Sequence, residues 1–100
     1  MGGQARSPKD VKGLANARLL ASEGSGFVVP TEARLKSLKP GDFIKVCRNG
    51  ERFWVRLNGY VARKWHGTVS NKLVLNDDIK LGDSIFFMRK NIYDFRHSNV

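Results

Sequence analysis

Residues Gly41 to Ser70 read GDFIKVCRNGERFWVRLNGYVARKWHGTVS, and this stretch decides the fold. Asn49-Gly50 is a strong hairpin signal, because a two-residue turn of the I′ type needs positive φ at both positions and Asn and Gly tolerate it. Pairing outward from that turn sets Arg48 opposite Glu51, Cys47 opposite Arg52, Val46 opposite Phe53, Lys45 opposite Trp54 and Ile44 opposite Val55. A second reversal near Val61-Ala62-Arg63 sets Tyr60 opposite Lys64, Gly59 opposite Trp65, Leu57 opposite Gly67 and Val55 opposite Val69. Three consecutive antiparallel strands result.

Side chains alternate across a strand, so these registers sort the residues onto two faces. Ile44, Val46, Phe53, Val55, Leu57, Trp65 and Val69 share one face, which reads as a core, with Trp65 lying over Gly59. The other face carries Phe43, Lys45, Arg52, Trp54, Arg56, Asn58, Tyr60, Lys64 and His66. It mixes cations with aromatic rings, and Cys47 lies on it beside Lys45 and Arg52.

Outward from this centre the chain is simpler. Ser7-Pro8-Lys9-Asp10 reads as a helix start, with Ser7 as cap, Pro8 in the first turn and Asp10 at the positive end. Val11, Leu14, Ala15, Leu19 and Leu20 form its apolar stripe, and the helix is expected to end near Glu23-Gly24. Gly24-Ser25-Gly26 is a flexible joint. Phe27-Val28-Val29-Pro30 is a short extended segment, confined by its proline to an edge or a strand end. Thr31 caps a second short helix over residues 31–35, with Leu35 and Leu38 inward.

Beyond the three strands, Leu73-Val74-Leu75 reads as a short fourth strand. Ile79-Lys80-Leu81-Gly82-Asp83-Ser84-Ile85 then echoes Leu38-Lys39-Pro40-Gly41-Asp42-Phe43-Ile44. In both, glycine supplies the turn and aspartate can bond neighbouring amides, so one turn-to-strand device is used twice. Ile85 to Met88 is the last long strand, and residues 91–95 form one helical turn with Ile92 and Phe95 packing back. Short strands, tight turns and no βαβ spacing place the chain in the mainly β class. The expected architecture is a small bent antiparallel sheet or SH3-like small barrel with one or two short N-terminal helices. Residues 1–24 would form a basic N-terminal arm with its helix, and residues 27–96 the β domain.

The chain has 100 residues and a formal charge of +9 from 18 basic and nine acidic groups. Residues 1–40 contribute +4, residues 41–75 contribute +5, and residues 76–100 none. The excess coincides with the sheet and the arm, and favours a polyanionic partner. No apolar run approaches the ~20 residues of a membrane helix. The opening MGGQARSPKD has no apolar signal region, and Arg6 stands where a myristoylation signal wants Ser or Thr. A lone cysteine fits a reducing compartment, so a cytoplasmic protein without membrane partners is expected.

Several segments resemble a widespread family of small bacterial domains of unknown function. They are Val29-Pro30-Thr31-Glu32, Leu38 to Val46, Gly50-Glu51-Arg52-Phe53-Trp54-Val55-Arg56-Leu57, Gly67 to Asn71, Leu81-Gly82-Asp83 and Ile92-Tyr93-Asp94. That family is marked by Glu-Arg-Phe/Met-Trp-Val and a later Leu-Lys-Leu-Gly-Asp. The likeness covers roughly residues 27–96 and leaves the first helix outside. This chain departs from it at Asn71-Lys72-Leu73, where Asn-Asp-Pro is expected, and is more basic. The resemblance implies a compact β-rich domain and names neither catalytic residues nor a ligand.

Catalytic signals are thin. Asp42 and Asp83 sit in matching turns, which assigns both a structural role. Cys47 would need a histidine partner, and His66 lies two strands away. The chain has no G-x-x-x-x-G-K-[ST] loop and no cluster of Cys and His. The expectation is a non-enzyme without cofactor or metal. Its candidate nucleic-acid-binding residues are Lys45, Arg52, Trp54, Arg56, Tyr60, Arg63, Lys64 and His66, because cations track phosphates while flat rings stack on the bases of a single strand. Two questions stay open at this level. The face is either such a platform or a second thin core under the N-terminal helix, and the partner is either nucleic acid or an acidic protein met by a protein-interaction module.

Overall fold

The computed structural model describes residues 8–22, 26 and 28–98. Phe27 and the predicted cap Ser7 lie outside the described residues. Five antiparallel strands form one open sheet: β1 (Phe43–Arg48), β2 (Glu51–Val61), β3 (Lys64–Val69), β4 (Ser84–Phe87) and β5 (Asp94–Arg96), in the order β4-β3-β2-β1-β5. Two short helices, α1 (Ala17–Ser22) and α2 (Glu32–Leu35), and a 3-10 turn at Arg89–Asn91 complete the described elements. The mainly β expectation holds, and the sheet does not close into a barrel.

The first hairpin has the register read from Asn49-Gly50, including Lys45 opposite Trp54 and Ile44 opposite Val55. Asn49 and Gly50 have φ of 52° and 80°. The second hairpin differs near its tip. Its turn is the pair Ala62-Arg63, at φ 53° and 64°, so Val61 meets Lys64, Tyr60 meets Trp65 and Gly59 meets His66. A bulge between Leu57 and Gly59 absorbs the slip, and Leu57–Gly67 and Val55–Val69 pair as expected. An extra residue in one strand of an antiparallel pair reverses alternation beyond it. Tyr60 therefore joins Trp65 on the core side, their ring centres 5.1 Å apart and edge-to-face. His66, not Trp65, lies over Gly59.

Ile44, Val46, Phe53, Val55, Leu57 and Val69 are buried, together with Ile85, Phe87 and Phe95 from the outer strands. Leu35, Leu38, Ile79 and Ile92 close over them. Each such side chain contributes roughly 1.5–3 kcal/mol of transfer free energy. Thr31 caps α2 as expected, accepting the Arg34 N–H at 3.2 Å.

The two Gly-Asp turns are the same device. Gly41 and Gly82 have φ of 99° and 93°. Asp42 accepts the Lys39 N–H at 3.0 Å, and Asp83 accepts the Lys80 N–H at 2.9 Å. Gly41 donates to the Leu57 carbonyl and Leu57 to that of Asp42; Gly82 and Asp83 hold Val69 in the same way.

Three elements depart from the sequence reading. Residues 8–16 are not helical, because Gly13 takes a left-handed φ of 89° and the backbone is claimed by the sheet. Lys9 N–H donates to the Ser84 carbonyl at 2.8 Å and the Lys9 carbonyl accepts from Phe86 at 3.0 Å. Arg48 Nε reaches the Lys12 carbonyl, and Ala15 N–H that of Cys47. The helix starts only at Ala17, where the Asn16 side chain accepts the Leu19 N–H. Leu73-Val74-Leu75 is not a strand. The Glu51 carboxylate takes the N–H groups of Val74, Leu75 and Asn76 at 2.6, 2.8 and 3.2 Å, which removes them from any ladder. The segment after the 3-10 turn is β5 rather than helical, paired with β1 through Phe43–Arg96, Ile44–Phe95 and Lys45–Asp94.

Candidate nucleic-acid interface

Directly opposed residues share a face, so the pairings map the surface opposite the core. One row crosses all five strands: Ser84, Thr68, Arg56, Phe43 and Arg96. Trp54, Lys45 and Asp94 form the next row to one side, and Arg52 and Cys47 the one beyond it. On the other side of the central row stand His66 and Phe86.

Trp54 is half-buried. Lys45 Nζ lies 4.8 Å and the Arg96 guanidinium carbon 5.6 Å from its ring centre. A hollow of about 440 Å³ opens beside the ring, walled by Phe43, Lys45, Ser70 and Arg96. Asn71 fixes the strand here by accepting the Trp54 N–H at 2.7 Å. Helix α1 packs elsewhere. Its Ala17 joins Cys47 and Tyr93 in a separate buried cluster, and Arg52 lies over the Tyr93 ring at 4.7 Å. The helix thus covers the Cys47 end of the face, while the surroundings of Trp54 are cationic side chains. Burial, and after it the neighbouring Cys47, pushes the Tyr93 phenol above its ordinary range.

The eight sequence-predicted residues do not form one cluster. Lys45, Trp54 and Arg56 are neighbours on the face. Lys64 and His66 sit on the same face around Phe86, with Lys64 Nζ 5.5 Å and the His66 ring 6.2 Å from the Phe86 ring centre. Arg52 belongs to the Tyr93 end. Tyr60 is on the opposite side because of the bulge, and Arg63 occupies the hairpin turn. Two further residues contribute: Arg96, which no local pattern marks as lying on a strand, and Phe86, whose alternation with buried Ile85 and Phe87 is the available sequence signal.

One acid lies on the face itself: Asp94 stands opposite Lys45 on the edge strand β5, its carboxylate accepting the Phe95 N–H at 2.8 Å. Among the described residues no ion pair engages Lys45, Arg56 or Arg96, whereas Lys64 pairs with Asp10 at 3.4 Å. Glu51 serves the 74–76 backbone; the Val74 N–H foremost, with Asn76 and Leu75, holds its carboxyl below the usual range despite some desolvation. Asp78 pairs with Arg48 at 2.7 Å, which lowers it likewise.

One polar chain has the order of a hydrolytic triad. Ser37 Oγ is 3.2 Å from His97 Nε2, and His97 Nδ1 is 2.8 Å from the buried Asp42. The Ser37 hydroxyl also lies 2.7 Å from the Arg34 carbonyl, so its single hydrogen has that backbone acceptor as well as the imidazole. Asp42 also accepts the Ser98 N–H at 2.9 Å. The chain of bonds is a clasp that fixes residues 97–98 to the first Gly-Asp turn. No group of three or more His, Cys, Asp or Glu side chains suited to a metal ion occurs among the described residues. No helix among them is long and apolar enough to cross a membrane. Comparison with protein-family models, with curated proteins and with solved structures finds no match.

Proposed function

We propose that the chain is a non-catalytic module that binds single-stranded nucleic acid on the face around Trp54. The observation that carries the reading is that Lys45 and Arg96 lie over one half-buried indole with Arg56 two residues along the same strand, none of the three in an ion pair among the described residues. Cations resting on a ring are readily exchanged: the ammonium and guanidinium move to phosphates, and a base replaces them on the ring. Each stacked base is worth about 1–3 kcal/mol, tolerant of sequence. The formal charge of +9 adds non-specific attraction.

Titrating the protein with a fluorescently labelled homothymidine oligonucleotide tests this. Affinity is expected to fall of order tenfold or more between about 50 and about 200 mM salt. Trp54→Ala is expected to remove most of the binding. A flat titration at low salt with micromolar wild-type protein would count against the proposal.

A second reading, an adaptor for an acidic protein, has its own observation. Val74, Leu75 and Leu81 are exposed at 83%, 65% and 60%, and Lys72 and Lys80 border the hollow between Leu73 and Leu81. An interaction that survives nuclease treatment and is lost on Leu75→Asp favours that reading; one lost with nuclease and unaffected by Leu75→Asp favours nucleic acid.

A further inference from the structure

We infer that a bound strand crosses this face diagonally between two ring stations, Trp54 and Phe86, with Thr68 beneath its middle and Arg56 beside it; this rests on the nucleic-acid reading above. The second station repeats the first in its parts. A lysine lies over the ring, Lys45 at 4.8 Å in one and Lys64 at 5.5 Å in the other. Each ring adjoins a hollow, of about 440 Å³ beside Trp54 and about 210 Å³ beside Phe86. Each hollow has a further cation in its wall, Arg96 in the first and Lys90 in the second. The row Ser84-Thr68-Arg56-Phe43-Arg96 lies between them.

The spacing sets the length of ligand. Trp54 is on β2 and Phe86 on β4, two strands away, or ~10 Å across the sheet. Phe86 pairs with His66, while Trp54 lies level with Ser70, one position past the Val55–Val69 pair. Those four positions along β3 add ~13 Å, so the diagonal is ~16 Å. At the ~3.4 Å advance of a stacked strand this spans about five nucleotides, and fewer when the strand is drawn out. Phosphates between the two stacked bases then pass beside Arg56, which no ion pair engages among the described residues.

Asp10 makes the second station distinctive. It pairs with Lys64 and lines the same hollow as Phe86. A phosphate arriving there must displace the Asp10 carboxylate, so the station carries its own competitor.

The test is a length series of homothymidines of two, four, six and ten nucleotides, read by anisotropy of a label. Affinity is expected to rise steeply from two to six and then to level. Phe86→Leu keeps apolar bulk but removes the ring; it is expected to weaken the six-nucleotide ligand about tenfold and leave the dinucleotide unchanged. Asp10→Asn is expected to strengthen the six-nucleotide ligand. Thermal melts confirm that the variants are folded. If Trp54→Ala abolishes binding of every length while Phe86→Leu and Asp10→Asn change nothing, the second station is wrong and the nucleic-acid reading stands. If the wild type binds none of the four, the reading itself falls.

Discussion

Gly67→Ala is expected to cost the fold about 3 kcal/mol or more, the upper range for forcing extra atoms into a packed interior. A Cβ built on Gly67 would lie 2.3 Å from the Arg56 carbonyl oxygen and 2.6 Å from Val55 Cγ1. The first of these is backbone in the centre of the sheet and cannot rotate away. Gly67 is opposite Leu57, immediately beside the bulge, so the two strands would have to separate where the register is being corrected. For a domain of this size each kcal/mol moves the melting temperature by about 4–8 °C, so the midpoint should fall by more than about 12 °C. Gly59→Ala is the control. Its Cβ would meet only the His66 ring, at 3.2 Å, and that side chain can turn aside. A Gly67→Ala variant melting within a few degrees of wild type would contradict this account of the strand pair.

Asp42→Ala is expected to cost about 1–3 kcal/mol, because it removes a fully buried acceptor and orphans its backbone donors. The side chain of Asp42 is fully buried and accepts from the Lys39 N–H, the Ser98 N–H and His97 Nδ1. The equivalent Asp83→Ala should cost less, since Asp83 is partly open to water and its Lys9 partner is an exposed ammonium. The pH dependence has a definite sign. Burial alone would push the Asp42 carboxyl up, but the hydrogen bonds from Ser98, His97 and Lys39 outweigh it and hold it below the ordinary value. A carboxylate depressed on folding contributes stability that is complete above its unfolded pKa of about 3.9 and is lost as pH falls through the folded value. Wild-type stability should therefore decline below about pH 4, and Asp42→Ala should flatten that acid limb. Denaturant midpoints of the two proteins across pH 2–6 check it; parallel curves would show that Asp42 is not the group responsible.

The sheet was legible in the sequence where local signals and hydrophobic alternation agree. Asn49-Gly50 defines the first hairpin outright, and the split of Phe53 and Val55 from Arg52 and Arg56 follows from it. The second reversal was harder, because Ala62-Arg63 carries no glycine and neither residue advertises a positive φ. The bulge at Asn58 leaves no mark in composition, yet it moves Tyr60 to the other side of the sheet. The strand expected at Leu73-Val74-Leu75 failed for a different reason. Its amides are bound by a carboxylate 23 residues earlier at Val74, a relation that no local pattern contains. The candidate site was correspondingly half visible: Lys45, Trp54 and Arg56 follow from the first hairpin, while Arg96 needs β5 and Phe86 needs the β3–β4 pairing.

The seat of Lys9 beside β4 has a consequence for solubility. By giving both its N–H and its carbonyl to Ser84 and Phe86, it occupies hydrogen-bonding groups that an outermost strand otherwise offers to another molecule. Ile85 and Phe87, apolar and β-prone, lie in that strand. The basic leading segment therefore acts as a guard against self-association, and a chain trimmed beyond Lys9 would expose a template for intermolecular β-stacking.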